Sequence, residues 1–158
     1  MVKTFVILGP PKPKERPFGV PIVKKDGTAG VKMITRKQTQ SYEATVKAEY
    51  HYQTGGAYFP DDTPLYILID CFISAPTSVS KKRLSEMLAH IRKPMRTPDW
   101  DNIGKIICDA LNQVAYKDDK AIVDGRVRKF FSKRPRVVVT ISDQPLDYKK
   151  FNVKQEEL

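Results

Sequence analysis

The sequence predicts a small, single-domain α+β protein, and three observations carry that expectation. Its 158 residues suffice for one hydrophobic core and are too few for two comfortable ones. Four short runs rich in β-branched and aromatic residues are bounded by glycine, proline and other turn formers, which is the pattern of strands. Three longer stretches repeat their apolar residues at three- and four-residue steps, the pattern of helices with one buried face. The domain is expected over residues 1–147, with a polar C-terminal tail, YKKFNVKQEEL, over 148–158.

Thr4 to Leu8 reads as a buried strand ended by Gly9-Pro10-Pro11. From Lys12 to Lys37 the composition changes: eight basic residues face only Glu15 and Asp26, with prolines and glycines interspersed. Little regular structure is expected there, and a long basic loop of this kind is a candidate for facing DNA. Gln38 to Gln53 lacks Gly and Pro and carries Tyr42, Val46 and Tyr50 as a helical stripe, closed by Gly55-Gly56. Leu65 to Ile73, LYILIDCFI, is too short for a membrane helix and rich in β formers, hence a central strand. Its Asp70 sits either on a wet face or in an acidic cluster. Ser78 to Ile91 is helical in pattern, with Leu84, Met87, Leu88 and Ile91 on one face. Ala121 to Phe131 and Arg136 to Ser142 complete the sheet, separated by a turn at 132–135. In the first of these, Val123, Gly125, Val127 and Phe131 alternate with Asp124, Arg126 and Arg128, so one buried and one wet face are expected.

Charge narrows the function. Lys plus Arg number 28 against 18 Asp plus Glu, a formal +10, which suits a protein that meets a polyanion. A membrane surface is the weaker alternative, because no long basic helix has a bulky apolar face. Two cysteines, Cys71 and Cys108, are too few and too far apart for a zinc motif or a disulfide framework and read as free buried thiols. The N-terminal apolar run is broken by Gly9 before signal-peptide length, and no run approaches the ~20 apolar residues of a membrane span. A cytoplasmic setting is therefore expected.

Against this basic background, Pro98 to Val123 concentrates acid: Asp99, Asp101, Asp109, Asp118 and Asp119. From Asp101 on, Ile103, Ile106, Ile107, Ala110, Leu111 and Val114 form a core-facing stripe, while Asp101, Lys105 and Asp109 stack four apart on nearly the opposite side. Asp99 and Asp101 lie at the positive end of the helix dipole, which favours their ionised form. Such carboxylates attract a hard divalent cation, and a cation near phosphate activates water and stabilises a leaving oxygen. Simpler roles compete: Asp99 as a helix N-cap, Asp101-Lys105-Asp109 as a ladder of surface ion pairs, Asp118-Asp119 as turn residues. His51 and His90 lie outside the motif, so no histidine serves there as a base; Trp100 packs at the helix start or stacks on a base.

The run Asp99-x-Asp101-Asn102, Lys105, Asp109-Ala110-Leu111-Asn112, Ala115-Tyr116 and Asp118-Asp119 resembles the signature of the RusA family of Holliday-junction resolvases. The resemblance implies a small α+β fold with a mixed sheet and a homodimer. It implies a Mg²⁺-dependent crossover-junction endodeoxyribonuclease of DNA recombination and repair, with Mn²⁺ able to substitute and no organic cofactor. Asp99, Asp101 and Asp119 match the metal-site carboxylates, with Asp118 as an additional ligand candidate, and Lys105 matches the catalytic lysine. Its partner would be branched DNA, a four-way junction, with no membrane role. Lys12, Lys14, Arg16, Lys24, Lys25, Arg96, Arg126, Arg128 and Lys129 are the candidate DNA contacts. The sequence departs from the family pattern at Gln113, where glycine is common, and at Ala121, where glutamine often stands. A nuclease for other branched or single-stranded DNA, or a non-catalytic structure-selective DNA-binding protein, are the alternatives.

Overall fold

A computed structural model describes residues 1–151 and 153, so most of the expected tail at 148–158 lies outside the described residues. Its centre is a four-stranded sheet in the order β1-β6-β4-β5: β1 (Val2–Leu8), β4 (Leu65–Ser74), β5 (Ile122–Ser132) and β6 (Arg136–Ser142). The β1–β6 and β6–β4 pairs are antiparallel and β4–β5 is parallel, so the sheet is mixed. A parallel neighbour needs a long crossover. Residues 75–121 supply it, carrying α2 (Lys81–Leu88) and α3 (Trp100–Leu111).

The expected turn at 132–135 joins β5 to β6, yet the two strands do not pair; β4 lies between them. Two inter-strand spacings come to about 9.6 Å, and three extended residues reach roughly 10 Å. The link therefore crosses the end of β4. Ser132 anchors it, its hydroxyl accepting the Arg134 N–H at 2.9 Å and its carbonyl accepting the Ala75 N–H at 3.2 Å.

One face of the sheet carries the main core. Phe5, Ile7, Ile67, Ile69, Cys71, Ile73, Val137, Val139 and Ile141 meet Val46 and Tyr50 of α1 (Lys37–Thr54) and the Ile103, Ile106, Ile107, Ala110, Leu111 stripe of α3. Each such side chain removed from water contributes about 1.5–3 kcal/mol. Leu68, Asp70 and Phe72, on the opposite face of β4, are buried as well. Burial on both faces is why β4 reads as a near-continuous apolar run. The α1 stripe is used as its spacing predicts, and the helix stops where Gly55 takes the left-handed conformation, φ 69°.

Three expectations are corrected. Residues 12–37 are not without regular structure: β2 (Phe18–Val23) and β3 (Ala29–Ile34) form an antiparallel hairpin. Its turn is made by Asp26, whose carboxylate accepts from the Thr28 N–H and hydroxyl at 3.0 and 2.7 Å, and by Gly27 at φ 81°. Lysines and prolines interrupt the apolar alternation there, which hides the strands from a periodicity reading. Val23, Val31 and Met33 of this ribbon stay exposed. In β5, Val123 is exposed rather than on the buried face, because the register shifts at Leu65/Tyr66 and Asp124, not Val123, stands opposite Tyr66. Finally, α2 is shorter than the expected 78–91: Ser80 caps its start, and the left-handed His90, φ 61°, lies just beyond its end.

Candidate active site

The start of α3 is docked on β5. The Trp100 indole Nε1 donates to the Val127 carbonyl at 2.9 Å, and Gly104 faces Val127 so closely that a Cβ there would stand 3.3 Å from its side chain. This fixes where Asp99 and Asp101 are presented. Asp99 occupies the N-cap position, φ −69° and ψ 147°, but its side chain makes no capping hydrogen bond, so the helix does not consume its carboxylate. Asp101, in the first turn, is exposed, as is Lys105 one turn later.

The expected ladder of four-spaced ion pairs through Asp101, Lys105 and Asp109 does not form; Asp109 pairs elsewhere. Its carboxylate accepts the Lys14 ammonium at 3.1 Å, and Lys14 also binds Glu43 of α1. Burial works against the Lys14 charge, but hydrogen bonds to Glu43 and Asp109 outweigh it and raise its pKa above the ordinary lysine value. With the Lys14 N–H on the Asn102 carbonyl at 3.2 Å, this lysine staples residues 12–17 across α1 and α3. Its charge is balanced within the protein instead of being offered to a phosphate.

The two acidic turn residues separate. Asp118 accepts the Lys120 N–H at 3.0 Å and thereby caps the short 3₁₀ turn Asp119–Ala121. Asp119 is not so used. It lies near the Cys108 thiol, which burial first, and then the charge of Asp119, pushes up to about 12. Cys71 and Cys108 are both free. Among the described residues no three His, Cys, Asp or Glu side chains are gathered to hold one metal ion. A Mg²⁺ ion that keeps its waters needs only one or two protein carboxylates together with substrate phosphate, and the hard, uncapped carboxylates of Asp99 and Asp101 fit it in donor type. Gln113, where the family favours glycine, sits at φ 61°, the left-handed region that suits glycine. Its side chain donates to the Lys117 carbonyl, which helps to hold that backbone.

The basic candidates fall into three groups. Lys12, Arg16, Lys24 and Lys25 are exposed, the last two at the hairpin tip. Arg126 is exposed with its guanidinium 4.3 Å over the Tyr148 ring. Arg96 donates to the Ser74 carbonyl at 2.9 Å, and Lys129 donates to the Arg96 carbonyl, so these two brace the segment before α3 while keeping their charge. Arg128 is different, because both of its contacts to Asp70 are short ion-paired hydrogen bonds of 2.6 Å. It is a structural cation, and Asp70 belongs neither to a wet face nor to the acidic cluster. One residue outside the expected set joins this region: Lys93, with Trp100, Arg128, Lys129 and Phe130, lines a cavity of about 370 Å³. Its sequence signal was only its place in the basic run at 92–96.

Comparison with known proteins agrees with the resemblance. The family model described as Endodeoxyribonuclease RusA matches residues 9–142. The uncharacterized protein YqaN of Bacillus subtilis (strain 168) is 39% identical over 82 residues, 51% of this chain. That match spans 58% of the relative's length. No helix among the described residues is long and apolar enough to cross a membrane.

Proposed function

The chain belongs to the RusA endodeoxyribonuclease family, and from that premise we propose that it resolves four-way DNA junctions by metal-assisted phosphodiester hydrolysis. The observation that carries the reading is the pair Asp99 and Asp101: two acidic residues at the positive end of α3 in a strongly basic protein, the first with its carboxylate unused by the helix it caps. Asp99 and Asp101 would hold Mg²⁺, with Mn²⁺ able to substitute, and the ion would supply an activated water and charge neutralisation; Asp119 is the further ligand that the family resemblance implies. Lys105, exposed one turn along, would set its ammonium against charge growing on the scissile phosphate. Fixed positive charge of this kind contributes most where water is excluded by bound DNA.

The exposed Lys12, Arg16, Lys24, Lys25 and Arg126, with Lys129 and Arg96 near the start of α3, would neutralise backbone phosphates. Lys14 and Arg128 are left out of this set because carboxylates of the chain itself occupy them. A homodimer would present two such sites to opposed strands, matching the two-fold symmetry of a junction. The apolar surface available for that contact includes the hairpin's Val23, Val31 and Met33.

The test is incubation in Mg²⁺ with a fixed four-way junction, a flap and a linear duplex. Paired symmetric cuts in the junction alone are expected. Cutting of the flap in preference would replace the substrate by another branched DNA, and binding without cutting would reduce the protein to a structure-selective DNA-binding module.

A further inference from the structure

We propose that Lys93, Trp100 and Lys129 form a nucleotide pocket beside the candidate carboxylates, which takes one backbone phosphate together with an adjoining unpaired base. The inference rests on the DNA-directed reading above and adds a place for a nucleotide that the carboxylates do not provide. The cavity is about 370 Å³, within the ~300–1,000 Å³ range of small-ligand sites. Its lining combines cations with aromatic rings and contains no acidic residue. That pairing suits a nucleotide, whose phosphate takes ammonium donors and whose base takes a π surface.

The charges in the pocket are not equivalent. Arg128 is neutralised by Asp70, whereas Lys93 lies 4.6 Å over the Phe130 ring. Burial first, and then the like charge of Arg128, lowers the Lys93 pKa below its ordinary value. An arriving phosphate would offset both effects with its own negative charge. Lys129 is oriented by its bond to the Arg96 carbonyl and retains two further ammonium protons to donate. Trp100 is 58% exposed although its indole N–H is anchored on Val127, so the ring is both held and reachable. Trp100 stands between Asp99 and Asp101 in the chain, so a base on the indole would place its strand next to them.

Trp100 is the chain's one tryptophan, which makes its emission a direct report on the pocket. The experiment titrates the full-length protein in EDTA with a fixed four-way junction, a single-stranded oligonucleotide and a blunt linear duplex. Quenching by the first two and not by the duplex is expected. Lys93→Ala should weaken junction binding about tenfold and reduce the slope of log affinity against log salt by ~0.9, the loss of one phosphate contact. Lys93→Arg should restore both. Trp100→Phe, which keeps a ring but loses the donor to Val127, should retain part of the binding that Trp100→Ala loses, and thermal melts of both variants separate stacking from any effect on folding. Unchanged emission at saturating junction, or wild-type affinity and salt slope for Lys93→Ala, overturns the pocket. Cleavage in Mg²⁺ is scored separately: cutting with no quenching sinks the pocket alone, and quenching with no cutting sinks the nuclease reading alone.

Discussion

The Arg128 guanidinium grips the Asp70 carboxylate through two hydrogen bonds of 2.6 Å, and the two residues stand directly opposite each other in the parallel β4–β5 ladder. Asp70 is buried, and the same guanidinium donates to the Phe151 carbonyl at 2.8 Å. The pair thus ties the strand that follows the acidic turn to the centre of the sheet and to the chain beyond β6. A buried carboxylate here is tolerable only because it is met bidentately.

Asp70→Ala should therefore destabilise the protein by about 3 kcal/mol, because it strands a partly covered guanidinium. The double variant Asp70→Leu with Arg128→Met should recover most of that loss. Urea denaturation of the single and double variants measures both. A loss under ~0.5 kcal/mol in the single variant would show that the pair is not structural.

Asp101→Asn should fold with wild-type stability to within ~0.5 kcal/mol, since the side chain is exposed. Junction binding in EDTA should persist while cleavage in Mg²⁺ falls by at least about 100-fold. Cleavage near the wild-type rate would remove Asp101 from the metal set.

Lys24→Ala combined with Lys25→Ala should lower the salt slope of junction binding by about 1.8, two phosphate contacts at ~0.9 each, with little change in stability. Lys14→Ala should do the reverse: an unchanged slope, and a loss of about 1 kcal/mol from the broken contacts with Glu43 and Asp109. Binding isotherms at several salt concentrations, paired with thermal melts, distinguish the two behaviours.

Alkali should weaken the fold in a defined window. Burial pushes the thiols of both Cys71 and Cys108 up to about 12 from 9.0, against the charge of Lys129 at Cys71 and with the help of Asp119 at Cys108. The unfolded chain then releases these protons first, so stability is full below pH 9 and falls as pH rises toward 12, by about 1 kcal/mol per pH unit for each thiol. Urea midpoints across that range should decline, and Cys71→Ala with Cys108→Ala should make the decline less steep, burial of Tyr42 and Tyr116 supplying the remainder above pH 10. An unchanged slope in the double variant would refute the assignment.

The amino-acid sequence by itself determined the pieces whose signal is local. The α3 stripe, the α1 stripe of Val46 and Tyr50, and the apolar run of β4 were legible because burial imposes a period or a run on neighbouring residues. The carboxylates at the head of α3 were legible because Asp99 and Asp101 stand out against a basic chain. Tertiary structure alone decided which charges remain available. Lys14, Arg128 and Asp118 look like their neighbours in sequence, yet the first two are claimed by partners far along the chain, Glu43 and Asp109 for one, Asp70 for the other, and the third by its own turn. It also placed β4 between β5 and β6, and brought Lys93 to Trp100 and Lys129. Asp118 aside, whose partner lies two residues away, the physical reason is shared: an ion pair or a strand pairing gains its energy from residues distant in the chain, and that leaves no period in the sequence around either partner.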